Sequence, residues 1–290
     1  MRRSPPGLPA VACIVVDLLQ SIILGLLQGL TEFLPISSSG HLLIFPAIFG
    51  WDDPGAAFTA VIQLGTEAAV LIYFRKDLWS IATVWLRSLR DRSLRTDPNA
   101  RVGWYLVAAT IPIGILGFAF SDQIETAARN LWLVGTTLIV FGIVLGIADN
   151  VGSRKRQVEE LSMRDGVLIG FAQSLALIPG VSRSGATISA GLFLGLNRAV
   201  AARFSFLLAV PAVVVSGLYE MTKIISGEEA VGVPFINIAV ATLVAFVTGY
   251  AVIHWFLRYL SNNSFAIFVG YRLVLGTGTL ILVAAGLIST

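Results

Sequence analysis

The chain has 290 residues, of which 56% are hydrophobic and only 13% are charged, and its mean hydropathy is +0.83. Soluble domains carry about 25% charged residues, so this composition excludes an ordinary soluble protein and indicates an integral membrane protein. The net charge of +3 says little about partners, but the arginines cluster in loops rather than on the basic face that nucleic-acid binding needs. The single cysteine, Cys13, excludes an intramolecular disulfide.

The N-terminal segment MRRSPPGLPAVAC ends in four residues that resemble a lipobox. A lipoprotein signal needs an apolar stretch before its cysteine, and SPPGLPA is not one. We therefore expect neither cleavage nor lipidation at Cys13, and we expect the apolar run that follows to be retained.

Six stretches have the roughly 20 apolar residues that a membrane-spanning helix requires. They are 56–74, 102–120, 131–148, 204–219, 234–253 and 265–286. Two further apolar regions, 11–50 and 166–197, are interrupted by QGLTEFLPISSSGH and IPGVSRSGATIS. Backbone leaves the helix at membrane depth only where protein or a wet cavity satisfies it. Each of these two regions therefore predicts a re-entrant hairpin of two half-length helices.

Arginine and lysine are concentrated in loops 75–101 and 149–165, which the positive-inside rule places in the cytoplasm. Loops 121–130 and 220–233 then face outward, as do both termini. The first hairpin enters from outside and the second from the cytoplasm. The two arginines near the N-terminus run against its outward placement.

A shift of 145 residues superimposes one polar motif on the other. Gly25, Gln28, Leu30, Ser37, Ser39 and Gly40 fall on Gly170, Gln173, Leu175, Ser182, Ser184 and Gly185. Each half then contains one hairpin and three spans, at 11–148 and 166–286, within one membrane domain at 1–290. An odd number of spans inverts the second copy, with a site where the broken helices meet. The sequence therefore predicts an all-α polytopic membrane protein built from two inverted-topology repeats.

The first motif places Gln28 and Glu32 four residues apart, on one face of a helix. A carboxylate inside a membrane hairpin is costly and usually functional. Glu32 is predicted to act as a metal ligand or a base, with Gln28 as a neutral oxygen ligand to Mg²⁺ or Ca²⁺. The alternative is a Glu32 that is merely hydrated near the interface.

Pro35 and Gly40 bracket a turn, and a new helix is predicted to begin there. The N–H groups at a helix N-terminus bind phosphate. The turn also supplies hydroxyl donors or a nucleophile, from Ser37, Ser38 and Ser39. His41 follows as a candidate nucleophile or general acid, whereas His254 has the position of an ordinary interfacial residue. The alternative for the serines is tight packing at helix crossings.

The second motif carries Arg183 where the first has Ser38, and no acidic residue lies near it in sequence. A planar guanidinium binds phosphate oxygens bidentately. We expect Arg183 to contact Glu32 when the site is empty and phosphate when it is loaded. Ser182, Ser184 and Thr187 are predicted to complete the phosphate cradle.

Two further charged residues fall inside predicted spans. Glu67 is either a second carboxylate of the site or an interhelical partner. Arg272 either extends to the cytoplasmic face or pairs with an acidic group inside.

The two motifs, in this order, closely resemble the undecaprenyl-diphosphate phosphatase (UppP or BacA) family, as do IQLG at 62–65, FSFLLAVP at 204–211 and YR at 271–272. The family's first motif has Glu or Gln, three residues, then Glu. Here it has Gln28 and Glu32, which weakens a mechanism needing two carboxylates from this motif and raises Glu67 as a helper. The resemblance implies hydrolysis of a C55 polyprenyl diphosphate to its monophosphate, a divalent metal, and an outward-facing site in the bacterial plasma membrane. It also implies a role in recycling the carrier for peptidoglycan synthesis and in bacitracin resistance.

The expected catalytic residues are Glu32, Ser38, His41 and Arg183, with the attack left open between Ser38, His41 and an activated water. The expected partners are the lipid substrate, membrane lipid and a second copy in a homodimer. A lipid-phosphate flippase would use the same cradle without cleaving anything, although it would need no nucleophile. A purely structural scaffold does not explain the cost of burying Glu32 and Arg183.

Overall fold

The computed structural model describes residues 16–120, 123–124, 130–226 and 233–289, apart from the side chains of 56, 213 and 215–226. The expectations for Cys13 and for the outward loops 121–130 and 220–233 fall wholly or largely outside these residues. The predicted all-α class is confirmed, since the described chain contains helices and one isolated bridge, Arg156 to Leu196.

Eleven α-helices lie within the described residues. They are α1 Leu18–Thr31, α2 Ser38–Phe49, α3 Ala56–Tyr73, α4 Arg75–Ser88, α5 Pro98–Ala119, α6 Leu131–Val151, α7 Met163–Ser174, α8 Arg183–Phe193, α9 Arg198–Ser226, α10 Phe235–Leu260 and α11 Ala266–Ala284. Short 3-10 helices occupy Arg92–Thr96, Val158–Glu160 and Leu175–Leu177.

Both predicted hairpins are present as two short helices around a turn. Asp17 begins α1 with a capping box, and α2 begins after the turn with Ser37 as its N-cap. In the second hairpin, Ser162 caps α7 and Ser182 caps α8. Ser, Thr and Asp are favoured N-caps because their side-chain oxygens satisfy the free N–H groups of the first turn. Asp17, at the start of the first hairpin, therefore has a capping role.

Four described helices are long and apolar enough to cross a membrane, namely α5, α6, α10 and α11, and they correspond to four of the six predicted spans. The predicted span 56–74 corresponds to α3, which forms a bent pair with α4 at 76°. The span 204–219 lies within α9, but its crossing stays a prediction because most side chains beyond 214 lie outside the description. Loop 75–101 is not an irregular loop: it contains α4 and a 3-10 helix.

The repeat is visible in the packing of the helices. α1 packs against α10 as α7 packs against α5, and α3 packs against α10 as α9 packs against α5. A Cβ atom on Gly25 would lie 2.4 Å from the Ala241 carbonyl oxygen, and one on Gly170 would lie 2.5 Å from that of Ala109. Equivalent glycines thus permit equivalent backbone approaches, as is usual between membrane helices. The inversion of the second copy and the boundaries of the two repeats stay predictions.

Candidate active site

The two hairpin turns adopt the same unusual backbone conformation. Ser37 has a φ of 74° and Ser182 a φ of 73°, in a region that residues other than glycine rarely adopt. Each serine oxygen accepts a hydrogen bond from the backbone of the third residue on, Gly40 at 3.2 Å and Gly185 at 3.1 Å. Strain of this kind persists where the surrounding structure enforces it, commonly at functional sites.

Arg183 joins the two repeats through two carboxyl groups. Its Nη2 donates to Glu32 Oε1 at 2.6 Å and to Glu67 Oε1 at 3.0 Å. The contact predicted between Arg183 and Glu32 is therefore present, and Glu67 adds a second carboxyl group. All three side chains are largely buried, with 14% of Arg183 exposed. Glu32 is buried rather than hydrated at the surface, which contradicts the alternative considered from the sequence.

The other oxygen of Glu32 faces the serine turn. Ser38 Oγ donates to Glu32 Oε2 at 2.6 Å, and Gln28 Nε2 donates to the same oxygen at 3.0 Å. A hydroxyl held at this distance from a carboxyl oxygen has the geometry of a nucleophile beside its base. Gln28 presents its amide nitrogen, not its oxygen, to Glu32, and it also contacts the Thr66 hydroxyl at 3.4 Å.

His41 lies in the same turn but contacts neither Ser38 nor Glu32 in the hydrogen bonds found there. Its Nδ1 is 2.7 Å from the Ser37 carbonyl oxygen, which can only accept, so Nδ1 carries a proton. Its Nε2 is 2.6 Å from the Tyr271 hydroxyl, and the two rings are stacked with their centroids 5.5 Å apart. Nε2 is therefore the ring nitrogen that is available for proton transfer, and its present hydrogen-bond partner is the Tyr271 hydroxyl.

Arg272 neither extends to the cytoplasmic face nor pairs with an acidic group among the described residues, so both expectations from the sequence are wrong. It is fully buried, and its guanidinium donates to five backbone carbonyls. These belong to Pro35, Thr137, Leu138, Gly180 and Val181, at 3.0 to 3.3 Å. Where a helix is broken, carbonyls lack their intrahelical partners, and Arg272 satisfies those of both turns while tying them to α6.

The remaining residues of the predicted phosphate cradle form hydrogen bonds within the two turns and between helices. Ser39 and Ser184 bond to the N-cap serines of their own turns, and Ser184 also donates to the Leu34 carbonyl at 3.0 Å. The Thr187 hydroxyl lies 2.6 Å from that of Ser205 on α9 and donates to its own helix. Thr187 thus links α8 to α9, and its hydrogen bonds in the described part of the chain do not include Glu32 or Glu67.

The protein supplies only some of the oxygen ligands that a hard divalent cation needs. No group of three or more His, Cys, Asp or Glu side chains suited to a metal occurs in the described part of the chain. However, Glu67 Oε2 is buried without a hydrogen-bond partner among the described residues, and Glu32 lies across Arg183 from it. Mg²⁺ is commonly bound by one or two carboxylates together with substrate phosphates, and these two carboxyl groups fit that pattern.

Sequence reasoning missed Thr66 and Tyr271 as neighbours of the site. Thr66 is the neighbour of Glu67 in sequence, so the candidate carboxylate Glu67 could have drawn attention to it. Tyr271 is 230 positions from His41, and only its place within the YR pair marked it.

These features define a polytopic helical membrane protein with a buried arginine and carboxyl cluster at the junction of two repeated hairpins. The profile of the family described as bacitracin resistance protein BacA matches residues 21–278. The chain therefore belongs to the BacA family.

Individual relatives cover nearly the whole chain. It is 55% identical over 275 residues to the undecaprenyl-diphosphatase of Nocardioides sp., across 95% of this chain and 100% of that protein. It is 51% identical over 282 residues to undecaprenyl-diphosphatase 2 of Streptomyces coelicolor, across 93% and 96%. With the undecaprenyl-diphosphatase of Mycolicibacterium smegmatis it shares 55% over 275 residues, across 93% and 98%. With its long apolar helices, the chain is a multi-pass bacterial membrane protein.

Proposed function

We propose that this protein hydrolyses undecaprenyl diphosphate to undecaprenyl phosphate and inorganic phosphate, which recycles the lipid carrier for peptidoglycan synthesis and confers bacitracin resistance. The observation that carries the proposal is the contact of Ser38, Glu32 and Arg183, which puts a hydroxyl, a proton acceptor and a phosphate-binding cation together. Relatives named undecaprenyl-diphosphatase, which match over nearly the full chain, support the substrate.

In the proposed reaction, the terminal phosphoryl group takes the place of the carboxyl groups on Arg183. Glu32 accepts the Ser38 proton as Oγ attacks phosphorus, the bridging P–O bond breaks, and undecaprenyl phosphate leaves. Water then attacks the phosphoserine and gives a proton to His41, Glu32 returns its proton to Ser38 Oγ as the serine P–O bond breaks, and inorganic phosphate leaves. Arg183 and the free N–H groups at the N-termini of α2 and α8 stabilise charge on the phosphoryl oxygens. His41, when it carries a second proton on Nε2, is the proposed proton donor to the leaving undecaprenyl phosphate.

Glu32 and Glu67 are the residues that we propose hold Mg²⁺ or Ca²⁺. When bound, such an ion supplies positive charge for the phosphate oxygens. Removing metal with a chelator should abolish phosphate release, and adding Mg²⁺ or Ca²⁺ should restore it. As a binding readout, Ca²⁺ should raise the melting temperature of the wild type but not of Glu67→Gln. Full activity after exhaustive chelation contradicts the metal assignment.

Phosphate release from undecaprenyl diphosphate in detergent tests the proposed function. Ser38→Ala and Arg183→Ala should each lower kcat/KM by about 10³-fold or more. Ser39→Ala is the matched control: it removes a neighbouring hydroxyl that does not touch Glu32, and it should cost less than about tenfold. Acid-quenched reactions should show phosphate on the peptide that contains Ser38.

The outcomes separate the mechanism from the function. Release that survives in Ser38→Ala, with no phosphopeptide in the wild type, replaces serine attack by water or His41 while leaving hydrolysis intact. No release under any metal contradicts the enzyme and favours the flippase, because transport has no meaning in detergent.

An outward-facing site and a homodimer are further parts of the proposal.

A further inference from the structure

A cleft of about 430 Å³ lies apart from the candidate active site, where the 3-10 helix Arg92–Thr96 meets the first turns of α5 and α7. None of its lining residues belongs to the arginine and carboxyl cluster. They are Arg95, Thr96, Arg101, Trp104, Tyr105 and Met163. The lining therefore combines two cations with aromatic and apolar surface.

The two arginines have unused hydrogen-bonding capacity. Arg101 donates through Nε to the Tyr105 hydroxyl at 2.9 Å and through Nη2 to the Leu161 carbonyl at 2.7 Å. Arg95 donates only through Nε, to the Ser88 carbonyl at 3.3 Å. Neither forms an ion pair with a carboxylate in the described part of the chain. Both guanidinium groups thus have donors and positive charge available for an anion.

The helix beside the cleft, α4, has the features of a helix that lies at a membrane surface. α4 turns 76° away from α3, carries Arg75, Lys76 and Arg87 at its ends, and exposes 74% of Trp79. Charged ends with exposed tryptophan are typical of a helix that lies in the interface. α4 packs on α5, and the Trp85 ring on α4 is 5.6 Å from the Trp104 ring that lines the cleft.

We propose that this cleft binds the headgroup phosphate of an anionic glycerophospholipid. Basic pockets between membrane helices on the arginine-rich side are suited to such headgroups. Arg95 and Arg101 would contact the phosphodiester oxygens, while Trp104 and Met163 would contact the glycerol and upper acyl carbons. The apolar part of the lining favours a lipid over a soluble phosphate.

Native mass spectrometry of the full-length protein in detergent tests the proposal, using phosphatidylglycerol and phosphatidylcholine with the same acyl chains. The wild type should retain phosphatidylglycerol with about fivefold higher affinity, and Arg95→Gln should remove most of that preference. Arg92→Gln is the matched control, since Arg92 is exposed on the same 3-10 helix and does not line the cleft. Melting temperatures of both variants establish that they are folded.

Three results would overturn the proposal. One is equal retention of the two lipids by the wild type. A second is equal loss of preference in Arg92→Gln and Arg95→Gln, which indicates diffuse surface charge. The third is displacement of phosphatidylglycerol by inorganic phosphate at the same concentration, which indicates a site for the phosphate group alone. Should Arg95→Gln fail to fold, Arg101→Lys against Arg101→Gln gives the same comparison, with the preference kept only by lysine.

Discussion

At the residue scale, the environment of His41 bears on the reaction. Ser37 occupies Nδ1 and the Tyr271 hydroxyl lies on Nε2, so the ring is held by two hydrogen bonds and a stack. An imidazole whose orientation is fixed in this way can present only Nε2 to a phosphate. Tyr271 is 44% exposed, so a phosphate can approach Nε2 from the tyrosine side of the ring.

Tyr271→Phe keeps the stacked ring and removes only the hydrogen bond to His41. We expect kcat to fall about tenfold with little change in KM, because one neutral hydrogen bond orients a group that acts in the reaction. In a His41→Ala background the same substitution should have no further effect, since the hydroxyl acts through the imidazole. Steady-state kinetics of the four proteins measure this coupling, and fully additive losses would show that Tyr271 has a separate role.

The contact of Arg183 could be predicted because the sequence offers a carboxylate partner for it. The contacts of Arg272 could not be predicted, because its partners are backbone carbonyls. A buried arginine needs a negative partner, and Glu32 was the carboxylate at the equivalent turn of the other repeat. Arg272 instead uses carbonyl oxygens from three separate segments. Every residue has a carbonyl, so no side chain in the sequence marks such a partner.

At the element scale, apolar length and the two polar interruptions predicted the hairpins and four of the spans closely. α4 was missed because its arginine and lysine residues indicated a cytoplasmic loop, although a helix that lies in the interface carries the same charges. The register between helices depends on glycines whose role appears only once the neighbouring backbone is known.

Gly170→Ala tests the contact of α7 with α5. The added Cβ would meet backbone atoms of Ala109 at 2.5 Å, and backbone cannot move aside as a side chain can. We expect a loss of about 1–3 kcal/mol in stability, seen as a lower melting temperature in detergent. Gly270→Ala on α11 is the matched control, because nothing lies within 4 Å of its added Cβ, and alanine favours the helix by roughly 0.5–1 kcal/mol. A Gly170→Ala protein as stable as the wild type would contradict the tight packing of these two helices.

At the scale of the whole molecule, the second repeat supplies what the first lacks. The first turn has the hydroxyl and carboxyl groups, and the second has Arg183 in place of Ser38. Neither turn alone assembles the cluster, and Arg272 holds the two together from α11. The helix packing has the same pattern, because α1 of the first repeat packs on α10 of the second and α7 of the second packs on α5 of the first. The motif alignment alone predicted this pairing of turns, because identical residues recur at one fixed spacing.

The orientation of the molecule remains a prediction that cysteine labelling can measure. Cys13 is the only cysteine, so Cys13→Ser gives a background without thiols. Arginine-rich segments stay in the cytoplasm, so we expect Arg92→Cys and Asn262→Cys to react with a membrane-impermeant maleimide only after permeabilisation. Asp52→Cys and Gln123→Cys should react in intact cells. All four positions are exposed, so failure to label reports sidedness rather than burial. Because Asp52 follows the first hairpin, its labelling from outside also places that hairpin, and reaction of Arg92→Cys in intact cells would reverse the orientation proposed for the whole protein.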